Sequence, residues 1–247
     1  AFAFLVFGKV INFTLAQLFM VFSFSIGTSS FTYLLLPDHL KKFSFDFSGV
    51  KKFLSETVSP GISQLINESF SAISNALAKA FSTFAGVGIF SLADKISSVF
   101  ILVSFTIFTV LLPKNAIRKK ERQGYDYVET IILSIGVLML AFVTIIFAKF
   151  FVPWFFENKF NESLEILNVM VFAGAITSIH TFMENYFFVE NKTNYLAFIS
   201  GGKLTLLIIL ALVLVPLFSL NGLAWAHFIA AGITLGVVSA LIFSETS

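Results

Sequence analysis

The sequence predicts an all-α, polytopic membrane protein with about seven transmembrane helices, and three observations predict it. The 247 residues are 57% hydrophobic and 12% charged, about half the charge of ordinary soluble domains. Mean hydropathy is +0.92. Seven stretches are long enough to cross the roughly 30 Å hydrocarbon layer at about 1.5 Å per residue. The chain also carries 34 Phe, a load that lipid tolerates and water does not.

The first span is expected at residues 12–36, ended by Pro37, with 1–7 read as the tail of an earlier helix. The run Ala1 to Phe7 has no charged n-region or cleavage site before it, so it is not read as a signal peptide; a piece of a longer protein is expected. A polar linker, 37–52, follows with Lys41, Lys42, Lys51 and Lys52. The second span starts at Ser59-Pro60-Gly61, where Pro in a first helical turn loses no hydrogen bond, and runs to Phe81. The third, 88–112, is expected to stop at Pro113, and the fourth, 128–151, before Pro153-Trp154. The fifth, sixth and seventh cover 164–189, 195–217 and 223–243, joined by turns at 191–194 and 220–222.

Basic residues in short loops set orientation. Loops after the first, third and fifth spans hold Lys41, Lys42, Lys51, Lys52, Lys114, Arg118, Lys119, Lys120, Arg122 and Lys192; the opposite loops hold Lys79, Lys149 and Lys159. Ten against three places loops 37–52, 113–126 and 190–194 in the cytoplasm. The net charge of +2 gives no reason to expect a nucleic-acid partner, and zero Cys excludes disulfides and thiolate metal sites.

The second span differs from the others. Ser63, Gln64, Asn67, Glu68, Ser71, Ser74 and Asn75 recur at helical spacing, opposite Ile62, Leu65, Ile66, Ile73 and Leu77. A polar stripe at membrane depth has to face protein or an aqueous cavity. Gln64, Asn67, Glu68, Ser71 and Asn75 are therefore expected to line a substrate path, with Lys95 and Lys203 as cations beside it. The structural alternative is that Glu68 pairs with Lys95 or Lys203 only to hold helices together. His180 and Glu184 stand one turn apart, a spacing suited to proton relay or a metal. Without a third ligand, no metal and no cofactor is expected; Glu68, His180 and Glu184 are the candidates for coupling to H⁺ or Na⁺. His227 reads as a helix-packing residue. Three His, no Cys and short loops give no foothold for an enzyme.

Several segments, in order, resemble one family. They are FSGVKKFLSETVSPGISQLINESF, ISNALAKAFSTFAGVGIFSLADKIS, LLPKNAIRKK, FFENKFNESLEILNVMVFAGAI and LVPLFSLNGLAWAHFIAAGI, which span about residues 47–243. They resemble the second half of polysaccharide (O-antigen) flippases, which share a superfamily with multidrug-and-toxin-extrusion (MATE) transporters and lipid II flippases. The sequence departs from that pattern at Asn75, where Asp is common, and Phe90, where Tyr is. The resemblance implies a two-lobe, MATE-like fold: 1–36 the end of the first lobe, 37–52 a cytoplasmic linker, and 53–247 a six-helix second lobe. It implies a multi-pass protein of a bacterial or archaeal cytoplasmic membrane that moves a lipid-linked oligosaccharide for lipopolysaccharide or other surface glycan. A sugar would be held by hydrogen bonds and its pyrophosphate by Lys95 or Lys203, with membrane lipid around the polyprenyl tail. The alternative within the superfamily is an ion-coupled drug exporter. A scaffold would not need the polar stripe, and a glycan polymerase would need larger outer loops.

Overall fold

The computed structural model describes residues 50–121, 125–156, 160 and 162–246; the expected first span and most of the linker lie outside them. The described chain is 93% helical and has no strand, which makes it all-α. The helices are α1 (Val50–Phe81), α2 (Phe84–Ser97), α3 (Val99–Lys120), α4 (Tyr127–Phe156), α5 (Ser163–Met183), α6 (Asn185–Val189) and α7 (Asn194–Thr246). Lys52–Ser247 form one compact unit.

Among the described residues four helical stretches are long and apolar enough to cross a membrane: Phe84–Lys120, Tyr127–Phe156, Ser163–Val189 and Asn194–Glu245. The polar α1 is not among them, and the expected first span lies outside the described residues. The longest stretch folds back on itself. Ser219 takes φ 52° and ψ −137°, leaving the helical region, and the chain reverses there. A Cβ on Gly222 would lie 2.1 Å from the Leu214 carbonyl oxygen, so only glycine fits where the two limbs meet. At the far end Lys192 bonds Glu245, bringing the start and finish of the hairpin together.

Proline does not end these helices as expected. Pro60, Pro113 and Pro153 lie inside α1, α3 and α4. Each removes one backbone N–H, a loss that membrane helices absorb through local adjustment and neighbouring groups. After Pro113 the helix is carried on to Lys120, and Arg118, Lys119 and Lys120 occupy its last turn, where positive charge complements the helix dipole. Thr83 starts α2 by accepting the Gly86 N–H at 3.2 Å, and Asp126 starts α4 by accepting that of Glu129 at 2.9 Å. Asn191, at φ 56°, closes the turn before α7.

Helix α5 is the axis of the bundle and packs against α2, α3, α4 and α7. It is buried on nearly every side, through Leu167, Val171, Ala175, Ile179 and Phe182. Gly174 lets α2 approach, since a Cβ there would sit 2.8 Å from the Ser97 carbonyl oxygen. Helix α4 buries Val137, Ala141, Ile145, Ala148 and Val152, the i, i+4, i+7 stripe of one helix face. Its other faces leave Ile131, Ile135, Met139, Phe142, Phe147 and Phe150 exposed. A band of that size would be penalised in water and is at ease in hydrocarbon.

The two ends of the bundle differ in chemistry. At one end Lys114 pairs with Glu129, Arg118 with Asp126, Lys119 with Glu190 and Lys192 with Glu245. Tyr125, Tyr127 and Tyr186 stack edge to face within this charged layer. At the other end Thr83, Gly86, Glu162, Ser219 and Asn221 share a cleft of about 470 Å³. Chain segments on either side of each long helix thus alternate between ends, as in an up-and-down bundle.

Candidate functional site

Helix α1 is attached to the bundle by small hydroxyl groups. Ser59 Oγ donates to the Thr193 carbonyl at 2.7 Å and accepts the Ala197 N–H at 3.4 Å. One turn on, Ser63 and Ser200 hydroxyls meet at 2.6 Å. Ser74 Oγ donates to the Phe70 carbonyl at 2.7 Å and lies 2.8 Å from His227 Nε2. The hydroxyl proton is thereby committed, so His227 Nε2–H is the donor to Ser74. Serines suit this seam because they let backbones come close and still bond across it. The buried edge of α1 is Ser63, Ser74 and Ala78, while Ile62 and Leu65 are exposed. The expected division into a wet side and an apolar side is therefore incomplete.

The expected path residues fall into two groups. Ser71 Oγ donates to Asp94 Oδ2 at 2.7 Å, and Ser91 Oγ donates to Asn75 Oδ1 at 2.8 Å; both bonds tie α1 to α2. Gln64, Asn67 and Glu68 are exposed, with Gln64 Nε2 donating to Glu68 Oε1 at 2.8 Å. They form a short polar patch on the side of α1 turned away from the bundle. Lys95 is exposed on α2. Among the described residues no ion pair joins Glu68 to Lys95 or Lys203, so the purely structural pairing considered for Glu68 is not what the fold makes.

The structure collects the remaining candidates elsewhere. Lys203, His180 and Glu184 are all buried, at 8%, 4% and 6% exposure, between α5 and the first limb of α7. Lys203 Nζ donates to Thr177 Oγ1 at 3.0 Å and lies 3.1 Å from His180 Nε2. The Phe70 ring of α1 covers it, with 5.0 Å from Nζ to the ring centroid. His180 Nδ1 lies 3.4 Å from Glu184 Oε1 and makes no hydrogen bond. An ammonium has three donors and no acceptor, so His180 Nε2 accepts and its proton sits on Nδ1, facing Glu184. The third group at the His180–Glu184 pair is thus a cation, which opposes a metal there. Among the described residues no cluster of three His, Asp or Glu side chains is built to hold a metal ion.

No protein-family model, no curated protein and no solved structure matches this chain.

Sequence reasoning left Asp94 open between an interfacial and a deep position and gave it no site role, whereas it is buried at 8% exposure and partners Ser71; Thr177 was missed. Asp94 adjoins Lys95 at the start of an apolar stretch, where an interfacial position is an equally good reading. Its pairing across the α1–α2 turn gives the sign: Ser71 with Asp94 and Asn75 with Ser91 are an antiparallel ladder of polar residues. Thr177 carries no signal that an ordinary packing threonine lacks. The clefts at the opposite end, about 470 and 550 Å³, include none of the α1 polar patch.

Proposed function

We propose that the chain forms the second lobe, with the preceding helix, of a flippase that moves a lipid-linked oligosaccharide across the cytoplasmic membrane of a bacterium or archaeon. The observation that carries this reading is the exposed patch of Gln64, Asn67 and Glu68 on α1, in a bundle whose other exposed faces are largely apolar. Such a patch suits a hydrated cavity, where amide and carboxylate groups bond sugar hydroxyls and the polyprenyl tail stays in lipid. Counting the two limbs of α7 separately, and adding α1 and the expected span at 12–36, gives the seven crossings of the sequence reading. Transport would proceed by alternating access, with rigid rocking about a midplane site. Loops 37–52, 113–126 and 190–194 lie on the cytoplasmic side by their positive charge.

Within this reading Lys95, exposed on α2, is the better cation for a pyrophosphate. Lys203 is occupied by Thr177, His180 and Phe70. The test is glycan export in cells. Glu68→Gln and Asn67→Ala should each reduce surface glycan at unchanged protein level, and Lys95→Ala should reduce it further for a pyrophosphate-linked substrate. Normal export by all three would remove the assignment.

The buried Lys203–His180–Glu184 chain favours a second reading, a proton-coupled exporter of soluble compounds in the same superfamily. That protein would transport such compounds in response to a proton gradient, with no change in surface glycan on its loss.

A further inference from the structure

Lys203, on the first limb of α7, touches three partners from two other elements, α5 and α1. Thr177 and His180 belong to α5, the fixed axis of the bundle. Phe70 belongs to α1, which is otherwise held to α7 by Ser59, Ser63 and Ser74. The contact of Phe70 with Lys203 depends on charge, because an aromatic face attracts an ammonium and not a neutral amine. The serine bonds have no such dependence. Among the contacts that seat α1 on α7, this one is switchable.

We propose that Lys203, His180 and Glu184 form a proton-shift latch, in which the charge on Lys203 decides whether α1 stays seated through Phe70. In the seated state Lys203 is an ammonium, His180 is neutral with its proton on Nδ1, and Glu184 is a carboxylate. In the released state the Lys203 N–H bond facing His180 breaks and a bond forms to Nε2. His180 and Glu184 close from 3.4 Å into a hydrogen bond, and the Nδ1–H bond breaks as an O–H bond forms on Glu184. The imidazole changes tautomer, no proton is gained or lost, and the ion pair becomes an amine and a carboxylic acid. A neutral trio avoids the desolvation cost that a separated pair carries in a dry interior, and the ammonium is favoured when water or Phe70 is present. The latch does not rest on the transport reading.

The other titratable groups bonded to α1 are Asp94 on α2, through Ser71, and His227 on the second limb of α7, through Ser74 and 6.1 Å from Phe90. On α1 itself Glu68 faces away. Acid fills Glu184 with a proton from solution, which blocks the shift and keeps Lys203 charged and α1 seated. Raising the pH empties Glu184 and opens the route.

The experiment uses the full-length protein in lipid nanodiscs with spin labels at Ser69→Cys and Thr205→Cys, both exposed. These 247 residues have no native Cys, and any Cys elsewhere in the full-length protein is replaced by Ser so that labelling is specific. Distances are read by electron–electron double resonance from about pH 3.5 to about pH 8.5, a range spanning ordinary carboxylate and imidazole titration. The expected result is one short distance in acid and a longer one that grows several-fold in population as pH rises. Glu184→Gln should hold the short distance throughout. Phe70→Leu should give the longer distance at every pH, and Lys203→Met should match it. The response should survive Asp94→Asn and His227→Gln. A distance that ignores pH, a Glu184→Gln protein that still responds, a Phe70→Leu protein like the parent, or a response lost with Asp94 or His227 would each overturn the latch. Glycan export, measured separately, judges the transport reading and leaves this one untouched.

Discussion

Lys203 Nζ and His180 Nε2 lie 3.1 Å apart, brought together across 23 residues of sequence by the packing of α7 on α5. Because Lys203 is an ammonium donor to Thr177, its neighbour must accept, and this fixes the imidazole tautomer. With Lys203 charged, this contact places the imidazole proton on Nδ1, on the side of Glu184.

Removing one member of this chain should cost more than removing two. A lone buried charge left by truncation typically costs about 3–5 kcal/mol, whereas replacing a whole ion pair with neutral groups is often nearly neutral. Lys203→Met should lower the unfolding temperature in detergent markedly, and Lys203→Met with Glu184→Gln should recover much of the loss. If the double variant unfolds at or below the single one, the two charges are not paired.

The polar patch of α1 should be wet in a membrane. Cysteines placed at Gln64 or Asn67 should react with a membrane-impermeant maleimide in at least one transport state. Cysteines at Ile135 or Phe147, on the apolar band of α4, should not. Silence from both α1 positions in every state would remove the cavity.

The hairpin of α7 depends on Gly222. An alanine there places its Cβ 2.1 Å from the Leu214 carbonyl oxygen, a backbone clash that no rotamer relieves. Overpacking in tight sites costs about 1–3 kcal/mol and occasionally more. Gly222→Ala should reduce folded yield and unfolding temperature, while Gly232→Ala, with open space around its Cβ position, should be silent. Equal behaviour of the two would show that the limbs are not in close contact.

Acid should loosen the charged end first. The Glu129 backbone N–H, followed by the Arg118 guanidinium, holds the Asp126 carboxyl below its ordinary value of 3.8. A carboxyl with a lowered folded-state value stabilises fully above the unfolded value and loses that contribution as pH falls through the folded one. Asp126→Asn should therefore be less stable than the parent at neutral pH, and the difference should vanish well below pH 3.8. A difference that persists undiminished in strong acid would mean that Asp126 acts through something other than its charge.

Much of the helical arrangement was legible in the sequence. The runs at 128–151 and 164–189 and the turn at 191–194 appear where length, apolar content and Asn191 placed them. The ends of helices at Pro60, Pro113 and Pro153 were not legible, since proline's cost depends on which neighbours make up the lost bond. The sequence also marked the right polar residues on α1 but not their division: Ser63, Ser71, Ser74 and Asn75 turn to α2 and α7, while Gln64, Asn67 and Glu68 turn outward. Helical spacing reports which residues share a face and carries no information about which face a neighbour covers.

Composition and hydropathy by themselves determined the solvent, because about 20 apolar residues in a row are stable only where water is absent. They determined the helical class too, since a chain in hydrocarbon has to satisfy its backbone bonds internally. Tertiary structure alone decided that Lys203, His180 and Glu184 share one buried chain, and that Lys203 answers to Phe70 and not to Glu68. The reason is range: backbone bonds and hydropathy act over a few neighbouring residues, whereas the meeting of α1, α5 and α7 depends on how whole helices pack.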